Sequence, residues 1–317
     1  MKLQNIKSGD IATFLFRSML IFGMTYVFLF PLLYMLSVSI RAPGSINDPS
    51  IVWIPKALSL ENLKESMKIL NYSQSALLTF TISVLSMTGT LISCSLVGYG
   101  LARFKFTEKK IVFGLVILTI IVPPQLILIS SFLNFRYFNF GGILNIFKAF
   151  TGFGFIDLTE MPLTPLTFIL PSLLGVGIRG GLFIFIFRQF FSGMPKDLEE
   201  AARMDGCGYL KTYMRIILPL AGPAIITVTL FSFIWHWNDY FTSAMYFVGD
   251  LKPISVMLSN IDSLLRTSGN YGTFKSPYQI SIYLASGSLL TILPPLILYI
   301  FTQKYFTQSI ERTGIVG

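Results

Sequence analysis

The chain alternates long apolar runs with short basic segments. A helix rises about 1.5 Å per residue, so about 20 apolar residues cross a bilayer. Charge-free stretches of that length lie at residues 18–40, 69–102, 111–135, 216–237 and 276–303. The second exceeds one span, so only part of it crosses. A sixth stretch, 161–187, is interrupted by Arg179 within a run containing Gly175, Gly177, Gly180 and Gly181. An arginine at mid-membrane costs about 2.5–3.5 kcal/mol on insertion scales, so this segment is expected to face a protein- or water-lined interior or to break locally. Counted as a span, it makes six. The pattern predicts an all-α membrane protein with six transmembrane helices in a single domain, 1–317. The first helix falls at about 13–40, the core helices within about 74–305 and a tail at 306–317. The first run is too long for the apolar core of a signal peptide, and no small-residue cleavage site follows it, so it is read as a retained helix.

Composition agrees with this pattern: 53% of residues are hydrophobic and 12% charged, with a mean hydropathy of +0.68. The formal charge of +9 suggests nucleic acid only if the basic residues form a soluble patch. They flank the apolar runs instead, as residues that anchor helices in a lipid bilayer do, and no nucleic-acid partner is expected. With six spans, fourteen Lys and Arg fall on the side of the N-terminus and nine on the other, over longer loops. The positive-inside rule then puts both termini in the cytoplasm.

Two cysteines and one histidine support neither a disulfide framework nor a metal site. No nucleophile, metal set or carboxylate pair can be assembled, so no catalytic residue is assigned and the chain is not read as an enzyme. No G-x-x-x-x-G-K-[S/T] loop is present to cradle nucleotide phosphates. The spans also lack the chains of Asp, Glu or His that serve as proton relays. Energy is therefore expected from a partner, with an ion-coupled secondary transporter as the weaker alternative.

The cytoplasmic connection 194–219 holds the densest signal. Pro195 suits a first helical turn, Asp197, Glu199 and Glu200 suit a helix N-terminus, and Ala201 and Ala202 favour helix. Gly206 and Gly208 permit a reversal, and a second amphipathic stretch, 209–217, is expected to end at Pro219. Small residues at Ala201, Ala202 and Gly206 leave room for close approach by another protein, and Leu198 and Met204 offer apolar contacts.

The spacing Glu200-Ala201-Ala202, Gly206, Ile216 and Leu218-Pro219 resembles the signature loop of bacterial ABC importer permeases. Similar agreement runs from about Ser75 onwards: Leu101-Ala-Arg-Phe-Lys-Phe106, Val122-Pro-Pro-Gln125, Phe187-Arg-Gln-Phe-Phe191 and Trp237-Asn-Asp-Tyr240 resemble the carbohydrate branch. The shorter, six-helix subunit of maltose-type sugar permeases is the nearest likeness. Two departures stand out, a longer stretch at 140–168 and Cys207-Gly208 after the loop glycine.

The resemblance implies a binding-protein-dependent importer of a sugar or oligosaccharide, with a permease for a non-sugar solute as the alternative. It makes Glu200, Ala201, Ala202, Asp205, Gly206, Ile216, Leu218 and Pro219 the ATPase-coupling residues. The implied partners are a homologous second permease subunit, two ABC ATPase subunits and an extracytoplasmic solute-binding protein. No cofactor is expected on this chain, since ATP and Mg would be used by the ATPases. The implied location is the bacterial cytoplasmic membrane.

A second group lies 13 to 18 residues beyond Gly222, or roughly 20–27 Å along a helix, toward the outer half. Aromatic faces at Trp235, Trp237 and Tyr240, with polar groups at Asn238 and Asp239, suit a polyhydroxylated ligand in a substrate pathway. The alternative is interfacial anchoring and helix capping. Gln125, beside Pro123 and Pro124 in a span expected to kink, has the same two readings. Arg179 suits a structural or interfacial contact better than a ligand.

Overall fold

The computed structural model describes residues 8–42, 54–139, 154–267 and 277–314. Residues 140–153 and the tail from 315 lie outside them. Every regular element among the described residues is helical. In chain order these are α1 (Ser8–Ser39), α2 (Glu61–Ile69), α3 (Tyr72–Arg103), α4 (Lys109–Ile121), α5 (Leu128–Arg136), α6 (Leu166–Leu173), α7 (Gly180–Gly193), α8 (Asp197–Met204), α9 (Tyr209–Leu220), α10 (Gly222–Trp237), α11 (Phe241–Tyr246), α12 (Ile254–Ser259), α13 (Ile261–Thr267) and α14 (Pro277–Gly314). Two compact units divide the chain, one of residues 1–72 and 260–292, the other of 73–259 and 293–317.

Six spans were expected, the third with a kink and stretch 161–187 with a local break or a protein- or water-lined neighbour, and among the described residues the helices divide as follows. Three are long and apolar enough to cross a membrane: Thr13–Ser39 within α1, Tyr72–Arg103, and Gln279–Lys304 within α14. Two bent pairs raise the count to five. Lys109–Ile121 meets Pro124–Arg136 at 96°, and Tyr209–Leu220 meets Gly222–Trp237 at 78°. The first bend follows from Val122-Pro123-Pro124: prolines lack N–H groups and push the preceding residue out of the helical region, and Val122 sits at ψ 120°. Stretch 161–187 is not one helix, because α6 and α7 are separated by an irregular turn through Arg179. The helix of the loop also does not stop at Pro219 but runs to Leu220. Its turn widens to a π-helix over Tyr213–Ile217, where Pro219 has no N–H for the Arg215 carbonyl and its ring crowds that group.

In the first unit, none of the apolar window of α1 is buried among the described residues. A helix apolar on every side is stable only in lipid or against another chain. Its C-terminal end is tied down by Asn62 on α2, whose amide donates to the carbonyls of Val38 (3.3 Å) and Arg41 (2.8 Å). Farther along, Ser66 Oγ donates to the Tyr283 carbonyl at 3.2 Å and the Tyr72 hydroxyl to that of Leu290 at 3.0 Å.

The second unit is built around α3. Its buried face carries Ser75, Thr79, Ser83, Ser86, Thr90 and Ser93 with Gly89 and Gly98, small residues that let helices approach closely without water between them. Hydroxyls such as Thr79 bond back to carbonyls on the same helix, Ser75 at 2.7 Å in that case. Of the two glycines on this face Gly98 is the more crowded: an added Cβ would lie 2.6 Å from Phe187 Cβ and 3.0 Å from the Arg188 nitrogen. Gly98→Leu is therefore expected to lower stability by about 1–3 kcal/mol through overpacking. Gly114→Leu, where a Cβ meets nothing within 4 Å, should stay within about 0.5 kcal/mol of the parent. Thermal unfolding of the detergent-solubilised variants measures the difference.

Candidate functional site

The loop between α7 and α9 is a helical hairpin. Helix α8 begins with Asp197, Glu199 and Glu200 in its first turn, where acidic side chains meet the positive end of the helix dipole. Pro195 falls just ahead of the helix, not in its first turn. The C-terminus closes by two backbone bonds, Gly206 N–H to the Arg203 carbonyl and Cys207 N–H to the Ala202 carbonyl, each 2.9 Å. This is a Schellman closure, which needs a left-handed residue, and Gly206 supplies it with φ +77°. Gly206 thus has a backbone reason to be glycine, since an added Cβ would meet no neighbour within 4 Å. Arg203 then lies over the Tyr209 ring at 4.7 Å and joins the two arms.

An ion pair fixes the hairpin to the helices. Glu199 Oε1 lies 2.8 Å from Arg103 Nε at the end of α3, with side chains only 7% and 5% exposed. The Nε–H does not point along this line, so the contact is Coulombic and not a hydrogen bond. Arg103 also donates from Nη2 to the Met194 carbonyl at 2.8 Å, which ties the entry of the loop to the same side chain. Arg203 approaches the other Glu199 oxygen at 3.7 Å from the exposed side. Lys109 Nζ donates to the Phe104 carbonyl at 3.0 Å and that of Ala102 at 3.3 Å, closing the end of α3.

Beneath the ion pair lies an aromatic cluster. Tyr99 packs against Phe191 of α7 (5.8 Å between ring centroids) and Tyr213 of α9 (5.0 Å), and Phe104 packs edge-on against Tyr209 at 5.3 Å. The Tyr213 hydroxyl lies 2.7 Å from Ser95 Oγ. Ile217, Phe187 and Ala221 complete the cluster. Three helix ends therefore converge on one core, from which α8 projects.

Among the residues expected to couple, Glu200, Ala201, Asp205 and Gly206 are exposed, Ala202 is buried against the protein, Ile216 and Leu218 are half-buried, and Pro219 is exposed. The outer surface is apolar as well as acidic: Met204 is 88% exposed, and Leu198, Tyr209, Leu210 and Met214 are also exposed. Sequence reasoning missed Glu199 and Arg103. Spacing alone puts Glu199 and Ala202, three residues apart, on one helix face, but the sequence motif assigns Ala202 to the outer contact, and only the structure shows that this face is the inward one.

The second group is not gathered at one surface. Trp237 is fully buried, its ring stacked on Phe233 at 5.7 Å. Trp235 is half-buried beside Phe231 and Phe183. Asn238 and Tyr240 are exposed. The Asp239 carboxylate closes the start of α11, accepting from Ser243 N–H (2.8 Å) and from the hydroxyls of Ser243 (3.1 Å) and Thr242 (3.0 Å). Gln125 is exposed in the 3-10 turn Pro124–Ile127, at the sharp bend before α5.

Residues 94–312 match the family model described as binding-protein-dependent transport system inner membrane component. Among curated proteins, the arabinooligosaccharides transport system permease protein AraQ of Halalkalibacterium halodurans is 27% identical over 92% of this chain and 92% of its own length. AraQ of Bacillus subtilis is 30% identical over 72% of this chain and 68% of its own length. The melibiose/raffinose/stachyose import permease protein MelC of Bacillus subtilis is 29% identical over 90% and 91%. Among solved structures, a chain of a bacterial ABC transporter involved in the import of the acidic polysaccharide alginate shares the fold, with a TM-score of 0.71, 22% identity and coverage of 95% of this chain and 98% of that one. The long match, reaching through the hairpin to α14, shows that the chain belongs to the family of binding-protein-dependent transport system inner membrane components, the multi-pass permease subunits of ABC importers.

Proposed function

We propose that this permease carries a sugar or oligosaccharide across the cytoplasmic membrane, driven by ATP hydrolysis on separate subunits. Its complex adds a homologous second permease subunit, two ABC ATPase subunits and an extracytoplasmic solute-binding protein. ATP and Mg act on the ATPases. The chain works as one permease domain with six crossings and both termini in the cytoplasm, the broken pair α6 and α7 making one of the six. Helix α8 is the element that docks on an ATPase: Glu200, Ala201, Asp205, Gly206 and Pro219 offer the exposed contact, while the buried Ala202 and the half-buried Ile216 and Leu218 support it from behind.

The observation that carries this reading is the form of the hairpin: one face locked to three helix ends, the other acidic, apolar and uncovered. Uncovered apolar side chains around a small-residue helix suit a protein groove. Rigid-body motion of a docked ATPase would reach α3, α7 and α9 together, as alternating access requires. The oligosaccharide permeases among the relatives support the substrate class, and Trp235, Trp237, Asn238, Asp239, Tyr240 and Gln125 are its pathway candidates.

Affinity capture of the complex from gentle detergent tests the assembly. The parent chain should bring down an ATPase, a second permease and a sugar-binding protein, and Met204→Asp should lose the ATPase alone. Recovery of the parent without any ATPase would sink the proposal. Glu199→Ala leaves the Arg103 charge buried without its partner, a loss of about 3–5 kcal/mol for a buried pair. Uptake per ATP hydrolysed should fall at least tenfold in that variant, while Glu108→Ala, beyond the end of α3, should match the parent.

A further inference from the structure

The turn between α6 and α7 holds a residue that its backbone does not favour. Gly177, Gly180 and Gly181 have crowded surroundings: an added Cβ would lie 2.9 Å from Ser172 Cα, 3.0 Å from the Gly175 carbonyl carbon and 2.9 Å from the Val116 carbonyl oxygen, respectively. Arg179, among them, adopts φ 58° and ψ 22°, the left-handed region where glycine or asparagine is easier. A large side chain is kept there at a backbone cost of roughly 1–2 kcal/mol. Strain of this kind, at a break in an apolar segment, points to use of the side chain.

The arginine is exposed, and its guanidinium sits over the Trp235 ring at 5.6 Å. Trp235 is itself held by Phe231, stacked at 5.6 Å, and by the fully buried Phe183 at 5.4 Å. Among the described residues Arg179 is ion-paired with no carboxylate. The 14 residues of α7 separate it from the hairpin, roughly 20 Å of helix, which under the proposed six-crossing topology puts it inside the bilayer. Lipid is an unfavourable neighbour for it by about 2.5–3.5 kcal/mol. The charge therefore faces an aqueous path or another chain.

Resting on the proposal that the chain imports saccharides, we propose that Arg179, braced on Trp235, is a subsite in the transport path that recognises the carboxylate of an acidic, uronate-containing saccharide. The aromatic support limits the guanidinium's motion, while its planar fork of N–H donors matches a carboxylate in a bidentate way that an ammonium cannot. A neutral sugar would leave the charge without a partner, so the selectivity is one of charge.

The test uses the complete complex in its cell membrane, with labelled uronate trisaccharides (galacturonate, mannuronate and glucuronate) beside their methyl esters, which keep the shape and lose the charge. The parent should take up at least one acid. Arg179→Asn, a residue suited to the left-handed backbone and so expected to accumulate normally, should lower that uptake at least tenfold while changing neutral uptake less than twofold. Arg179→Lys should fall between. Uptake of neutral saccharides but no acid by the parent would overturn the subsite and leave the saccharide reading standing. Uptake of no saccharide, with a peptide or amino acid carried instead, would overturn both. Equal loss of acid and neutral uptake in Arg179→Asn, with the second permease lost on capture, would make Arg179 an assembly contact and overturn the subsite alone.

Discussion

The buried contact between Arg103 and Glu199 is the interaction on which the hairpin depends. Two charges removed from water are worth keeping only when each neutralises the other and neighbouring dipoles finish the job. Here the Met194 carbonyl accepts from Arg103, and Arg203 adds a second positive charge 3.7 Å from Glu199. A pair of leucines in the same volume would hold α8 as strongly, but without fixing its direction. The charge pair sets which face of an eight-residue helix points inward, a choice that propensity alone leaves open in so short a segment.

A second constraint shapes the membrane segments, since every backbone group freed by a break must find a partner inside the protein. The break between α6 and α7 shows how this is met. Ser93 Oγ donates to the Ser172 carbonyl at 2.6 Å, and Cys94 Sγ lies 3.6 Å from the Gly180 carbonyl. Beside them His236 Nδ1 donates to the Ser232 carbonyl at 2.7 Å on its own helix. The small polar residues of α3 therefore do two things at once: they allow close packing and they absorb the carbonyls that an interrupted helix exposes.

Much of this was readable from residue type and spacing. Apolar run length marks α1, α3 and α14, because a helix that closes its own backbone bonds in lipid needs no tertiary information. The reversal after α8 was readable from Gly206, whose left-handed φ is the reason for the residue. The bends were not readable in size: Pro123 and Pro124 announce an interruption, yet a 96° turn depends on what packs on either side. The expected end of α9 at Pro219 lies within one residue of the observed end, Leu220, but that Pro219 is held inside the last turn was not readable, for a related reason. A proline breaks a regular helix by crowding one carbonyl, and a single widened turn removes the clash while the helix goes on.

Glu199 and Glu200 show where sequence reasoning runs out and what replaces it. Both are acidic, adjacent and in the first turn of one helix, so composition and dipole arguments treat them alike. Their surroundings separate them: Glu199 meets an arginine that ends a charge-free run of 34 residues, 69–102, while Glu200 faces outward. A rotation of about 100° between consecutive helical residues is enough to give one carboxylate a structural duty and leave the other free for a partner. The proposed docking contact therefore rests on a division of labour within a single turn. Glu199 keeps α8 aligned with α3, so that force arriving at the outer face near Glu200 moves the helices instead of rolling α8 on its own axis.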